Sequence, residues 1–561
     1  MPTYGNGRNN RRPKEETMRP AAARRARHKP TTSEDPTVVS TRYGLLKGLC
    51  TVNNKGPEDL VEYRGIPYAE PPVGALRWRP PQDLKPWKGV REAYHYQSMP
   101  MQDLESDIEP WCSDFYYGTV PQTSEDCLYL NITTTQSALI DTTKRPVYVW
   151  FHGGSLDKAY AYEQETNAAA FAAHGIVVVS VEQRLGAFGY LALEQLSNEQ
   201  GHSGNYGLMD QIKAMQWIVD NIAAFGGDPS SITIGGQSGG TTKCMAMATS
   251  PKLSAPIRGM ILESGLKWTD TYQSQSAAEQ RGAIYLHDLG LTPDIPLDKL
   301  RSMSAEQLMD TDSAGWTGHI TQDDNYIVHA SAADAIRAGA LDSINILTGT
   351  NYGEGDNHGI ITAQDFYAHY RQLLGDLYDE YDFRNLVTVT DQTAAYTARE
   401  LETYGLGTNG GRNLMVARAF GRMMNRRIGS KQATYAYVFS HITPQSIGDI
   451  GTVRSRAANW AWHSSELWYT FDSLDAGVPP TRQWTAYDRI LAKQVNAYWS
   501  NFIRTGVPNG QSEGIPLPAW PKADDSLGYI DLGDGIQGHV KESSRLEQLL
   551  DEYATKAFEL G

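Results

Sequence analysis

Cysteine is scarce in this chain: Cys50, Cys112, Cys127 and Cys244 are the only four in 561 residues. So sparse a set excludes a disulfide-built scaffold, and no CxxC or Cys/His spacing offers a metal site. Long apolar runs are missing too. The densest, "GIVVVSV" from Gly175, is far shorter than the roughly 18 residues of a membrane span and reads as a buried strand. Positive charge is confined to the start. The formal net charge is -15, yet the first 36 residues carry nine Arg/Lys against four Asp/Glu, or +5, leaving -20 for the rest. An acidic body excludes a general nucleic-acid binder. Residues 1–36 lack apolar periodicity and read as a disordered basic tail. They also lack the apolar core of a secretory signal and the amphipathic face of a transit peptide. With few cysteines, that predicts an intracellular, cytoplasmic setting.

What remains, residues 37–561, shows no repeat and no long Pro/Gly/Ser linker, and is expected to be one catalytic domain. "VVSTRYGLLKG" reads as a hairpin. "RPVYVWFHGG", "GIVVVSVEQRLG", "SITI", "GMILESG", "INILTGTN" and "TYAYVFSH" are short apolar runs that end in glycine or polar residues. Between them, Leu208, Ile212, Met215, Val219 and Ile222 recur at helical steps until Gly226, Gly227 and Pro229 stop the pattern. Strands alternating with helices predict an α/β fold with a large, mostly parallel sheet covered on both faces. The stretches 277–310 and 363–424 read as helical and are expected to form a cap.

One turn carries chemistry. Gly236-Gln237-Ser238-Gly239-Gly240 is a G-x-S-x-G pattern between the "SITI" strand and a helix beginning near Thr241. That is the setting of a nucleophile elbow: the sharp turn needs small neighbours, and the helix N-terminus favours developing negative charge. A serine hydroxyl needs a base to take its proton, and the base needs an orienting carboxylate. Downstream, "GTNYGEGDN" offers Glu354, with Asp356 as a competitor, and "NWAWHSSELWY" offers His463. Upstream, Gly153 and Gly154 follow an apolar strand where their N–H groups, with that of Gly239, would form an oxyanion hole. The order Ser, acid, His is the one an α/β-hydrolase uses.

Eight segments, "YRGIPYAEPPVGALRWRPP", "SEDCLYLN", "RLGAFGYLAL", "GNYGLMDQ" with "NIAAFGGDP", "GTNYGEG", "HSSELWY" and "NFIRTGVPNG", give the chain its resemblance to the type B carboxylesterases. These are the cholinesterase-like branch of the α/β-hydrolases, and the resemblance covers about residues 39 to 532. It implies an α/β-hydrolase fold with helical insertions capping an active-site gorge. It implies Ser238 as nucleophile, Glu354 as acid, His463 as base, and Gly153, Gly154 and Gly239 as oxyanion donors. Arg77 with Glu125 and Arg184 with Asp210 resemble the family's buried structural ion pairs.

The chain departs from the family pattern at four places. Gln237 stands where the family usually has Glu, which weakens a cationic, choline-like substrate. Gly239 replaces the usual Ala, which is expected to loosen the turn, and Ser155 replaces a common glycine. The partner of the "EDCL" cysteine is absent near "YQSMPMQ". Cys112 remains as an alternative partner for Cys127, with free thiols expected. Trp111 lies near the family's choline-binding tryptophan but out of spacing.

The implied activity is hydrolysis of small-molecule carboxylic esters through an acyl-enzyme, without metal or cofactor, membrane span or nucleic acid; monomer and homo-oligomer stay open. A biosynthetic acyltransferase or lactone-opening enzyme using the same triad is the alternative. A non-catalytic binding protein of the kind that has lost the nucleophile is disfavoured by the intact Ser238, Glu354 and His463.

Overall fold

A computed structural model describes residues 35–104, 121–266, 268, 272–310, 318–324, 326–329, 331–445, 460–476, 482–542 and 544–560. Most of the basic tail, Trp111 and Cys112 lie outside the described residues. The segment Asp35–Gly561 is one compact unit. Its centre is an eleven-stranded sheet. In chain order the strands are β1 (Leu49–Thr51), β2 (Leu60–Pro67), β3 (Tyr129–Thr135), β4 (Arg145–Phe151), β5 (Val177–Val181) and β6 (Gly227–Gln237). They continue as β7 (Ile257–Glu263), β8 (Asn345–Asn351), β9 (Thr434–Phe439), β10 (Tyr529–Gly533) and β11 (Gly535–His539).

The spatial order is β11-β10-β9-β8-β7-β6-β4-β5-β3-β2-β1. Strands β5 through β10 of that order, with β4, pair in parallel. Both edges are antiparallel, β1–β3 on one side and β11 on the other. The parallel strands β4 to β9 match the apolar runs seen in the sequence, and β10 was not among those runs. Strand β2 escaped that reading because it bulges: its register shifts between Tyr63 and Ile66. There Gly65 adopts φ 68° and donates its N–H to Asn131 Oδ1 at 2.8 Å. A bulge breaks the period-two alternation by which a half-buried strand is recognised.

Both faces of the sheet are covered, and the alternation along β4 shows how. Val147, Val149 and Phe151 enter one core; Tyr148 and Trp150 enter the other. Helices α1 (Tyr206–Asn221) and α2 (Gly239–Ala248) feed the first core with Leu208, Met215, Ile218, Met245 and Met247. Helix α3 (Leu414–Arg426) joins them there. On the opposite face, α4 (Ala486–Thr505) supplies Leu491, Val495, Tyr498, Trp499 and Phe502. A Thr485/Asp488 capping box starts α4 and Gly506, at φ 77°, ends it.

The stretches expected to be helical are so. Gln275–Asp288, Leu297–Ser302 and Ala305–Met309 form one set. Four helices between Ala363 and Tyr404, with α3, form the other. Arg184 clasps Asp210 bidentately at 2.8 and 2.7 Å in the buried core. Arg77 donates to Glu125 Oε2 at 2.7 Å and to the carbonyl of Met303 at 2.9 Å. Both pairs join segments distant in sequence, as scaffold contacts do. Cys127 and Cys244 are buried free thiols and Cys50 is an exposed one. Among the described residues no helix is long and apolar enough to cross a membrane.

Candidate active site

Strand β6 ends at Gln237 and α2 begins at Gly239, so Ser238 alone makes the turn. It does so at φ 55°, ψ -120°, a conformation that costs a non-glycine residue on the order of 1–3 kcal/mol. Its N–H donates to the Glu263 carbonyl at 2.9 Å, and its carbonyl accepts from the Thr241 hydroxyl at 2.6 Å. The flanking glycines answer to close backbone contact. A Cβ on Gly240 would lie 2.2 Å from the Phe151 carbonyl, and one on Gly236 would lie 2.6 Å from the same oxygen.

The glycine loop leaves β4 directly. A Cβ on Gly153 would sit 3.7 Å from Ser238 Cβ, so this residue packs beside the serine. Gly154 turns at φ 71° and Ser155 at φ 54°. The Ser155 backbone lies over Gly239: a Cβ there would come within 2.1 Å of the Ser155 carbonyl. The two departures from the family pattern therefore meet. Gly239 admits the Ser155 backbone, which a side chain there would meet.

His463 Nδ1 hydrogen-bonds Glu354 Oε1. The other carboxylate oxygen accepts from the Thr350 hydroxyl at 2.6 Å and from the Asn351 N–H at 3.3 Å. Burial alone would raise the Glu354 pKa. The charge and hydrogen bond of His463, the charge of Arg412 and the Thr350 hydroxyl outweigh it and hold the carboxyl below its ordinary range. Asp356, the competitor, is exposed. It accepts the His358 N–H at 2.8 Å, capping its own turn.

Two cavities share Ser155, Ser238 and Arg412. One, of about 310 Å³, is lined also by Gly239, Thr242, Ser264, Tyr272, Gln273 and His319. The other, of about 250 Å³, is lined by Gly153, Gly154, Glu163, Gln237, His463 and Leu467. All six residues singled out in the sequence thus converge: five line the cavities and Glu354 stands behind His463.

Two residues escaped the sequence reading. Arg412 lies between the helix that ends at Tyr404 and α3 and places Nη2 3.4 Å from His463 Nε2, while Gln237 Nε2 lies 3.3 Å from the same nitrogen. Lys243, on α2, is fully buried. Its Nζ donates to the carbonyl of His152 at 2.9 Å and to that of Gly153 at 3.3 Å. Each carbonyl shares a peptide plane with the N–H of the next residue, and in a trans peptide the two point opposite ways. Lys243 therefore turns the N–H groups of Gly153 and Gly154 away from the core. Burial presses its pKa down to about 7, against the raising charges of Glu182 and Glu163. No sequence signal marks either residue: Lys243 lies in an ordinary helical run, and Arg412 in a glycine-rich connection.

A serine on a tight turn after a parallel strand, a histidine held by a carboxylate and a glycine loop beside the serine match the family suggested by the motifs. The model of the carboxylesterase family aligns with residues 35–549. The chain belongs to that family. It is 30% identical to the para-nitrobenzyl esterase of Bacillus subtilis (strain 168), over 91% of this chain and 97% of that protein. It is 29% identical to carboxylesterase 5A of Felis catus, over 91% and 93%. A solved PNB esterase superposes with a TM-score of 0.70 at 25% identity, over 92% of this chain and 99% of the other. A carboxylesterase of Geobacillus stearothermophilus gives 0.69 at 26%, over 92% and 100%. The fold is that of an α/β-hydrolase and the protein is a serine hydrolase of carboxylic esters.

Proposed function

We propose that this esterase works through Ser238, His463 and Glu354 with an acyl-enzyme intermediate. The observation that carries the reading is the buried Glu354–His463 hydrogen bond facing the cavity that holds Ser238 at its strained turn. Ser238 Oγ attacks the ester carbonyl as its proton passes to His463 Nε2. Glu354 stabilises the imidazolium, and the N–H groups of Gly153, Gly154 and Gly239 receive the oxyanion. Removal of one such donor costs roughly 3 kcal/mol of barrier. Collapse expels the alcohol, protonated by His463. Water, deprotonated by His463, attacks the acyl-serine, the acid departs and Oγ recovers its proton. No observation favours a bound alcohol over water as the acyl acceptor.

Ser238→Ala removes one hydroxyl from a small-residue turn, so the variant is expected to keep its fold and lose turnover of p-nitrophenyl acetate to background. Retention of wild-type turnover in a folded variant would overturn the mechanism. Residues 37–561 are read as the catalytic domain, supported by the single compact unit from Asp35 onward. The intracellular setting rests on the sparse cysteine content.

A further inference from the structure

We propose that Arg412 recognises a carboxylate carried by the ester substrate close to its scissile bond. The substrate class would be half-esters of dicarboxylic acids and esters of hydroxy acids. This rests on the reading of Ser238 as nucleophile and names the substrate class for that site.

Among the described residues no carboxylate lies within ion-pair distance of Arg412; the guanidinium hydrogen-bonds only His463 Nε2, at 3.4 Å. Several buried arginines pair with acids, as Arg184 does with Asp210 and Arg422 with Asp551, whereas half-buried Arg399 lies over the Trp460 ring instead. Arg412 is half-buried, and a desolvated guanidinium aimed into a cavity without a partner is costly unless a ligand supplies one. Its planar fork suits a carboxylate.

The surroundings point the same way. The larger cavity is lined by hydroxyls, amides, His319 and Arg412, with no acid among its described lining residues. In the smaller one the acid is Glu163, whose carboxyl is pushed up by burial to about 7 and so carries little negative charge in weakly acidic solution. Glu354, which feels the Arg412 charge, is already committed to His463, Thr350 and Asn351. Gln237 adds an amide rather than an anion. The body carries a net -20 outside its first 36 residues, so the attraction is local to Ser238 and not a property of the surface.

Position adds a consequence. In this structure Arg412 and Gln237 both face the imidazole nitrogen that must receive the serine proton. A substrate carboxylate that engages the guanidinium draws it from Nε2 and leaves that nitrogen to Ser238.

The test is a ratio. The kcat/KM for p-nitrophenyl hemiglutarate is divided by that for p-nitrophenyl valerate, probing charge on the acyl side. The same is done for the butyrate ester of glycolic acid against ethyl butyrate, probing the alcohol side. In Arg412→Gln, at least one ratio is expected to fall on the order of 10- to 100-fold, the worth of a charge-assisted hydrogen bond. Both ratios unchanged, whatever the absolute rates, would overturn the proposal. Glutarate binding by titration calorimetry is measured in parallel in Ser238→Ala and in the Ser238→Ala/Arg412→Gln double variant. Binding lost with Arg412 supports the proposal and equal binding in both sinks it. If Ser238→Ala alone kept its turnover, the nucleophile assignment would fall while the charge ratios remained readable.

Discussion

At the scale of residues, two neighbouring acids and one buried lysine separate chemistry from scaffold. Glu354 is buried behind His463, whereas Asp356 faces solvent and caps a turn. Glu354→Gln replaces a carboxylate by an amide that cannot stabilise an imidazolium, and should cut kcat by roughly 10³- to 10⁴-fold. Asp356→Asn should stay within about threefold, as exposed changes away from the chemistry do. Steady-state assays that ranked the two the other way would move the acid to Asp356. Lys243 holds the carbonyls of His152 and Gly153, and with them the peptide planes that carry the N–H groups of Gly153 and Gly154. Lys243→Met should lower kcat on the order of 10²-fold, comparable to loss of an oxyanion donor, with KM little changed. A trifluoromethyl ketone, which mimics the tetrahedral intermediate, should lose affinity in parallel. If kcat fell while the affinity of that inhibitor held, Lys243 would be a stability residue only.

At the scale of elements, the junction of β6, the elbow and α2 is held by mutual exclusion of side chains. Phe151, at the end of β4, leaves room for no side chain at Gly236 or Gly240, and Ser155 leaves none at Gly239. Because the obstructing atoms at Gly239 are backbone, a methyl there must push the donor loop. Gly239→Ala should lower kcat at least tenfold with a loss of thermal stability, since overpacking typically costs about 1–3 kcal/mol. Ser155 takes φ 54°, where glycine is freer. Adding Ser155→Gly should therefore recover part of the lost rate. Strictly additive effects of the two substitutions would show that the residues do not share the space.

At the scale of the whole molecule, the buried ionisable groups set how stability follows pH. Burial raises the carboxyls of Glu163, Glu182 and Glu263 to about 7, 8 and 8 from an ordinary 4.5. Between 4.5 and those values the folded chain holds protons that the unfolded chain has released, so stability falls as pH rises. Burial would raise Glu354 and Asp488 too, but their hydrogen-bond partners prevail and hold both below the ordinary range. Their contribution is present above that range and is lost as pH falls toward about 2. Lys243, pressed down to about 7, opposes the acids only above that pH. Burial presses His152, His174, His202 and His369 below the ordinary 6.5, so they oppose the acids below that pH, and Tm should drop by on the order of a few degrees from about pH 6.5 to about pH 7.5. Calorimetry showing Tm rising over that interval would mean that these acids are ionised in the folded chain.

The sequence by itself determined what is local. Apolar runs ending in glycine announced the parallel strands from β4 to β9, because a strand buried on both faces must be apolar throughout. The spacing around Ser238 announced the elbow, because only small residues tolerate that turn. Gly153, Gly154 and Glu354 were singled out just past the ends of such strands, and His463 by its motif and its place after them in the chain. The antiparallel edges were less so: the bulge at Gly65 and the short β1 carry little periodicity. Only the tertiary structure decided what depends on contacts between distant segments. It brought Arg412 to His463 across 51 positions and Lys243 beneath the donor loop across 91, and it set Ser155 against Gly239. A charged side chain in a helix or loop has the same local pattern whether it meets water or a buried imidazole, and packing alone tells them apart.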